Sequence, residues 1–140
     1  MASSENLFKL RKDTRIDNYL KDFEDDRLKT IPEKIKKERQ SLPIFAKRTD
    51  ILETIRNNQV TMVKGETGCG KTTQVSQYIL EDCIQNCNGS MTNILVTQPR
   101  RISVVSVANR VAEERGEKMD QQSDSQVIKV VEKNIGTLTT

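Results

Sequence analysis

The 140-residue sequence carries 23 basic and 20 acidic side chains, a formal net charge of +3, 34% apolar residues, and neither Trp nor His. The lack of His removes Ser-His-Asp and Cys-His nucleophile pairs, His general bases and any zinc site built on imidazole. A charge of +3 falls short of the basic excess of a dedicated nucleic-acid-binding module, so any nucleic-acid contact must come from a local cluster. The length suits about one domain. No run approaches the ~20 apolar residues that span a bilayer. The opening MASSENLFKLRK meets charges before a signal-peptide core can form, which points to an intracellular protein of the nucleus or cytoplasm. Three cysteines leave no complete disulfide framework and fit a reducing compartment. Cys83 and Cys87 have no second pair or His to complete a metal site, so they read as thiols near a helix end.

In chain order, residues 1–41 form a charged extension. Ile16, Leu20, Phe23 and Ile31 recur near helical spacing, with Pro32 separating one helix from the next. Residues 34–39, KIKKER, read as a solvated helix face rather than a phosphate site. Residues 42–117 differ. Ile51, Leu52 and Ile55 predict a helix with Thr49 or Asp50 as N-cap and Asn57-Asn58 at its end. Val60-Thr61-Met62-Val63 is a β-branched run and predicts a buried strand; Asn93-Ile94-Leu95-Val96-Thr97 predicts a second. Between them a Gly-rich turn at 65–70 leads into a helix with Val75, Ile79 and Cys83 on one face, ending near Asn88-Gly89. After the turn Gln98-Pro99-Arg100-Arg101, a third helix from about Ser103 to Arg115 places Val104, Ala108 and Val111 on one stripe and stops at Gly116. Strand–helix–strand–helix in this order predicts an α/β fold with a parallel sheet and right-handed crossovers. Residues 118–140 predict a polar turn at 120–126 and an ambiguous apolar run at 127–131, a tail of no assigned fold.

The strongest feature is Gly65-Glu66-Thr67-Gly68-Cys69-Gly70-Lys71-Thr72, which matches the phosphate-loop pattern G-x-x-x-x-G-K-[ST]. The glycines let the backbone curl so that successive N–H groups face one anion. The following helix aims its N-terminal dipole end at the same phosphates. Lys71 is expected to reach the β- and γ-phosphates and the Thr72 hydroxyl to coordinate Mg²⁺. Cys69 lies within this loop without a neighbouring base, so it is not read as a nucleophile.

The stretch from Gly65 to Gln74 resembles motif I of the DEAH-box RNA helicases. Thr97-Gln98-Pro99-Arg100-Arg101-Ile102-Ser103, continuing through Val107 to Glu114, resembles motif Ia and its helix. The lead-in Leu42-Pro43 and the helix to Asn58 also resemble the family's, and Cys69 in the loop with Ile84-Gln85-Asn86 after it is most similar to the RNA helicase A (maleless) branch. The resemblance implies a P-loop NTPase domain of RecA-like parallel-sheet fold, covered in part by residues 42–117. It implies ATP and Mg²⁺ as cofactors, held by Gly65, Thr67, Gly68, Cys69, Gly70, Lys71, Thr72 and Thr73, with Lys71 and Thr72 in catalytic roles and Thr72 on the metal. It implies that Arg110 stacks on the adenine and that Arg100 and Arg101 contact the RNA backbone. The family's acidic box, which ends in His, has no counterpart, since the sequence has no His and Glu24-Asp25-Asp26 lies upstream of the loop. The chain is therefore expected to be part of a helicase, binding ATP-Mg and RNA without hydrolysing ATP or unwinding by itself. The alternatives are another P-loop enzyme, such as a small nucleotide kinase, or a non-catalytic nucleotide- or RNA-binding product.

Overall fold

The structure, a computed structural model, describes residues 11–117. The tail reading for 118–140 lies outside the described residues.

Five helices carry the described residues: α1 (Thr14–Thr30), α2 (Glu33–Ser41), α3 (Arg48–Asn57), α4 (Lys71–Gln85) and α5 (Arg101–Arg115), with short 3-10 turns at Pro43–Lys47 and Gly89–Met91. Local chemistry accounts for most of their ends. Asp13 caps α1 by accepting from the N–H groups of Arg15 and Ile16. α3 starts earlier than the sequence predicts, at Arg48 with Lys47 as its cap residue and no side-chain cap bond, because the Pro43–Lys47 turn feeds it directly. α4 ends at Gln85, four residues before Gly89. Cys87 takes the left-handed conformation (φ 53°), with its N–H bonded to Ile84 O and that of Asn88 to Cys83 O. Gly116 (φ 67°) does the same for α5.

The predicted parallel sheet is not formed: the described residues contain no strand. The two β-branched segments form no strand or bridge, and Val60, Met62 and Leu95 are 87%, 93% and 65% exposed. The α/β RecA-like reading is corrected accordingly. A β-branched run sets only a local preference for extended backbone; a parallel pair also needs a neighbour alongside, and so short a ladder is marginal in any case. The helices pack on one another instead.

A small apolar cluster of Ile44, Ile51, Leu52 and Tyr78 joins the 3-10 turn, α3 and α4, with Leu42, Ile55, Val63, Val75 and Ile79 against it. The Arg48 guanidinium lies 5.3 Å from the Tyr78 ring centroid. Beyond Ile31, Ile84 and Ala112, the rest of the buried interior is polar or charged. Asp17, Glu24 and Arg27 of α1 are buried, whereas of the apolar residues that recur at helical spacing Ile31 is buried and Ile16 and Phe23 are about half exposed. Glu24 is bonded to Arg27 through both carboxylate oxygens and to Arg115 Nη2 at 3.2 Å. Glu81 of α4 gathers arginines from three helices: Arg39 at 2.9 Å, Arg48 at 3.3 Å and Arg27 at 3.8 Å. These pairs fix α1, α2 and α3 onto the helix that follows the glycine-rich loop.

Candidate nucleotide-binding site

The loop 65–70 runs straight into α4. Gly68 (φ 83°) and Gly70 (φ 98°) occupy the left-handed region that L side chains avoid. Gly70 is also hemmed in, since a Cβ there would lie 3.0 Å from Ile44 Cγ2, 3.1 Å from Leu42 Cδ1 and 3.2 Å from Gln74 Cγ. The Leu42-Pro43 lead-in thus seats the loop, and Ile44 N–H donates to Cys69 O at 3.2 Å. The N–H groups of Lys71, Thr72 and Thr73 lie in the first turn of α4, where a helix has no carbonyl of its own to offer.

Lys71 Nζ folds back over the loop. It donates to Gly65 O at 2.6 Å and Glu66 O at 2.8 Å, and lies 3.3 Å from Cys69 Sγ. The Thr72 side chain is exposed, while Thr73 Oγ1 is turned inward and accepts from Gln74 Nε2 at 3.0 Å.

An open cavity of about 650 Å³ is lined by Thr67, Gly68, Gly70, Lys71, Thr72 and Thr73 on one side and by Arg110 and Glu114 on the other, with Glu38 and Leu42 at its edge. Nine of the candidate residues thereby meet in one region, because Gly65 and Cys69 complete the same loop. Arg110 is held there by Glu114 Oε1 at 2.9 Å, Glu113 at 3.2 Å and Glu38 at 3.5 Å. Burial works against the Arg110 charge, but Glu114, Glu113 and Glu38 outweigh it and hold its pKa above the ordinary value. Arg100 and Arg101 are exposed at the opposite end of α5, roughly 14 Å from Arg110 at the helical rise per residue. Arg101 borders a neighbouring surface hollow with Ile102, Val105 and Asn109, and Arg110 lines that hollow as well as the cavity.

Sequence reasoning did not single out Gln74, Glu114 or Glu38. The spacing of Arg110 and Glu114, one helical turn apart, was a legible sign of a pair. The reach of Glu114 across to α4 was not. No group of three or more His, Cys, Asp or Glu among the described residues is placed to hold a metal ion. The exposed Thr72 hydroxyl at the start of α4 fits Mg²⁺ as a single hard oxygen ligand, with phosphate and water oxygens to complete the shell.

Known proteins share this sequence. A protein of Mycosarcoma maydis named as a DEAH-box ATP-dependent helicase is 50% identical over 113 residues, 79% of this chain and 7% of its own length. A DExH-box ATP-dependent RNA helicase of Arabidopsis thaliana is 48% identical over 89 residues, 64% of this chain and 9% of its length. By sequence, the chain belongs to the DEAH/DExH-box helicase family. An ATP-dependent DNA/RNA helicase of Mus musculus adds 50% identity over 93 residues, 65% of this chain and 9% of its length. No protein-family model matches the chain. The helicase-family chain thus spans under a tenth of the length of these relatives. No helix among its described residues is long and apolar enough to cross a membrane.

Proposed function

We propose that this chain supplies the ATP-gripping and RNA-backbone-contacting part of an ATP-dependent RNA helicase. The observation that carries the reading is the meeting of the glycine-rich loop, the first turn of α4 and Arg110 around one cavity. Polyphosphate is expected to lie against the first-turn N–H groups, with Lys71 leaving the carbonyls of Gly65 and Glu66 to pair with phosphate oxygens. That exchange trades two neutral acceptors for a charged one. Thr72 would hold Mg²⁺, which supplies charge neutralisation between the phosphates. Arg110 would meet the nucleoside end, where a planar guanidinium suits an aromatic base.

Arg100 and Arg101 stand apart from this cavity, as two guanidinium groups at the start of one helix. They suit phosphate contacts on an RNA strand, which position the strand without reading its sequence.

A crossed titration tests the reading. Wild type, Lys71→Ala and the double variant Arg100→Ala/Arg101→Ala are each titrated with a fluorescent ATP analogue plus Mg²⁺ and with a labelled single-stranded RNA. Lys71→Ala is expected to weaken nucleotide at least about tenfold and spare RNA; loss of a charge-assisted hydrogen bond is worth about 1.5–3 kcal/mol. The double variant is expected to weaken RNA and flatten its salt dependence by about two phosphate contacts, sparing nucleotide. Nucleotide affinity unmoved by Lys71→Ala would sink the proposal.

A further inference from the structure

The two walls of the cavity are tied together by Glu114. This carboxylate sits on α5 one turn after Arg110 and is 2% exposed. Its Oε1 accepts from Arg110 Nε at 2.9 Å. Its Oε2 accepts from Gln74 Nε2 at 2.6 Å and from Gln77 Nε2 at 2.8 Å, both on α4. Gln74 follows Thr72 and Thr73 in the first turn of that helix and also donates to Thr73 Oγ1. One oxygen therefore faces the arginine wall and the other faces the phosphate-loop helix.

A carboxylate is a costly way to seal a helix–helix contact, since replacing a buried ion pair by apolar groups is often neutral or stabilising. Its geometry here is what an apolar residue could not give. The contacts from Arg110 to Glu113 and Glu38 are longer, 3.2 and 3.5 Å, and solvent-exposed. The bond to Glu114 is the short and sheltered one, so it sets the direction of the guanidinium.

We propose that Glu114 is a positioning residue for nucleotide binding, orienting Arg110 toward the nucleoside end of the ligand and registering it against the first turn of α4. The inference rests on the nucleotide reading given above. Glutamine at 114 keeps the volume but must turn an NH₂ toward either Arg110 or the two glutamines, setting donor against donor.

The test separates the two ends of the ligand in the full 140-residue chain. Mg-ATP and Mg-tripolyphosphate are titrated into wild type, Arg110→Ala, Glu114→Gln, Glu114→Asp and the Arg110→Ala/Glu114→Gln double variant, with thermal unfolding recorded for each. Glu114→Gln is expected to weaken ATP about tenfold, as Arg110→Ala does, while leaving tripolyphosphate within about twofold. The double variant is expected to be no weaker than Arg110→Ala alone, the mark of two residues acting through one contact. Glu114→Asp, which keeps both oxygens, is expected to recover part of the loss. Should Glu114→Gln fail to fold, the ATP-against-tripolyphosphate split in Glu114→Asp decides. Equal weakening of both ligands, additive losses in the double variant, or wild-type affinity would each overturn the proposal. Wild type binding tripolyphosphate as tightly as ATP would instead overturn the nucleoside role of Arg110, and wild type binding neither would overturn the phosphate-loop reading.

Discussion

At the scale of single residues, the phosphate loop separates two demands that its glycines meet. Gly68 and Gly70 both have positive φ, so either one replaced by Ala pays the left-handed penalty of about 1–2 kcal/mol. They differ in their surroundings. A Cβ at Gly68 meets nothing within 4 Å, whereas at Gly70 it presses on Leu42, Ile44 and Gln74 at 3.0–3.2 Å. Overpacking adds about 1–3 kcal/mol. Gly70→Ala is therefore expected to lower stability by about 2–5 kcal/mol and Gly68→Ala by about 1–2 kcal/mol, read from urea unfolding followed by circular dichroism. Equal losses would mean that the Leu42-Pro43 lead-in does not seat the loop. The glycine pattern was legible in sequence because the backbone requirement is local. The packing of Gly70 against residue 42, from the far side of α3, was not.

At the scale of elements, α1 shows why helical periodicity finds a helix but not its inner face. Ile16 and Phe23 follow the right spacing, yet both are about half exposed, and the face that carries Asp17, Glu24 and Arg27 is the buried one. What decides it is distant in sequence: Arg115 lies beside Glu24, and the Ser90 N–H donates to Asp17 Oδ1 at 2.8 Å. With such partners the charged face is the better buried one, and no local pattern reveals them. Glu24 is the keystone of that contact. Burial pushes its carboxyl up, but the hydrogen bonds and charges of Arg27 and Arg115 outweigh this and hold it below its ordinary value of 4.5. A carboxyl lowered on folding contributes stability that is fully present above the unfolded value and is lost as pH falls through the folded one. Glu24→Gln leaves Arg27 and Arg115 short of a counter-charge and is expected to cost about 3 kcal/mol near neutral pH. The gap between wild type and variant should stay level from pH 7 to about 5 and then close below 4.5, measured by urea midpoints across that range. A gap undiminished at pH 3 would assign the effect to shape rather than charge.

At the scale of the whole molecule, the described chain is an assembly of helices held as much by arginine–carboxylate pairs as by apolar packing. Glu81 collects arginines from α1, α2 and α3, Glu24 joins α1 to α5, and Glu114 joins α5 to α4. Motif order along the sequence gave the loop and the helix after it, whose requirements are short-range. A sheet depends on partners for each extended segment, and those segments lie unpaired here. The same accounting bears on turnover. Among the described residues, the carboxylates lining the cavity are Glu38 and Glu114, and both already accept from Arg110. Glu114 also holds Gln74 and Gln77, so three of its roughly four acceptor sites are taken. Phosphoryl transfer to water needs a group that orients the nucleophile and a cation that meets the developing charge. Lys71 and Arg110 offer cations, but both carboxylates that line the cavity are already drawn to Arg110. The purified chain is therefore expected to bind Mg-ATP yet release phosphate no faster than Lys71→Ala, with or without single-stranded RNA, in a continuous phosphate-release assay. RNA-stimulated release clearly above the Lys71→Ala rate would show that one of these engaged carboxylates lets go of its partners during the reaction.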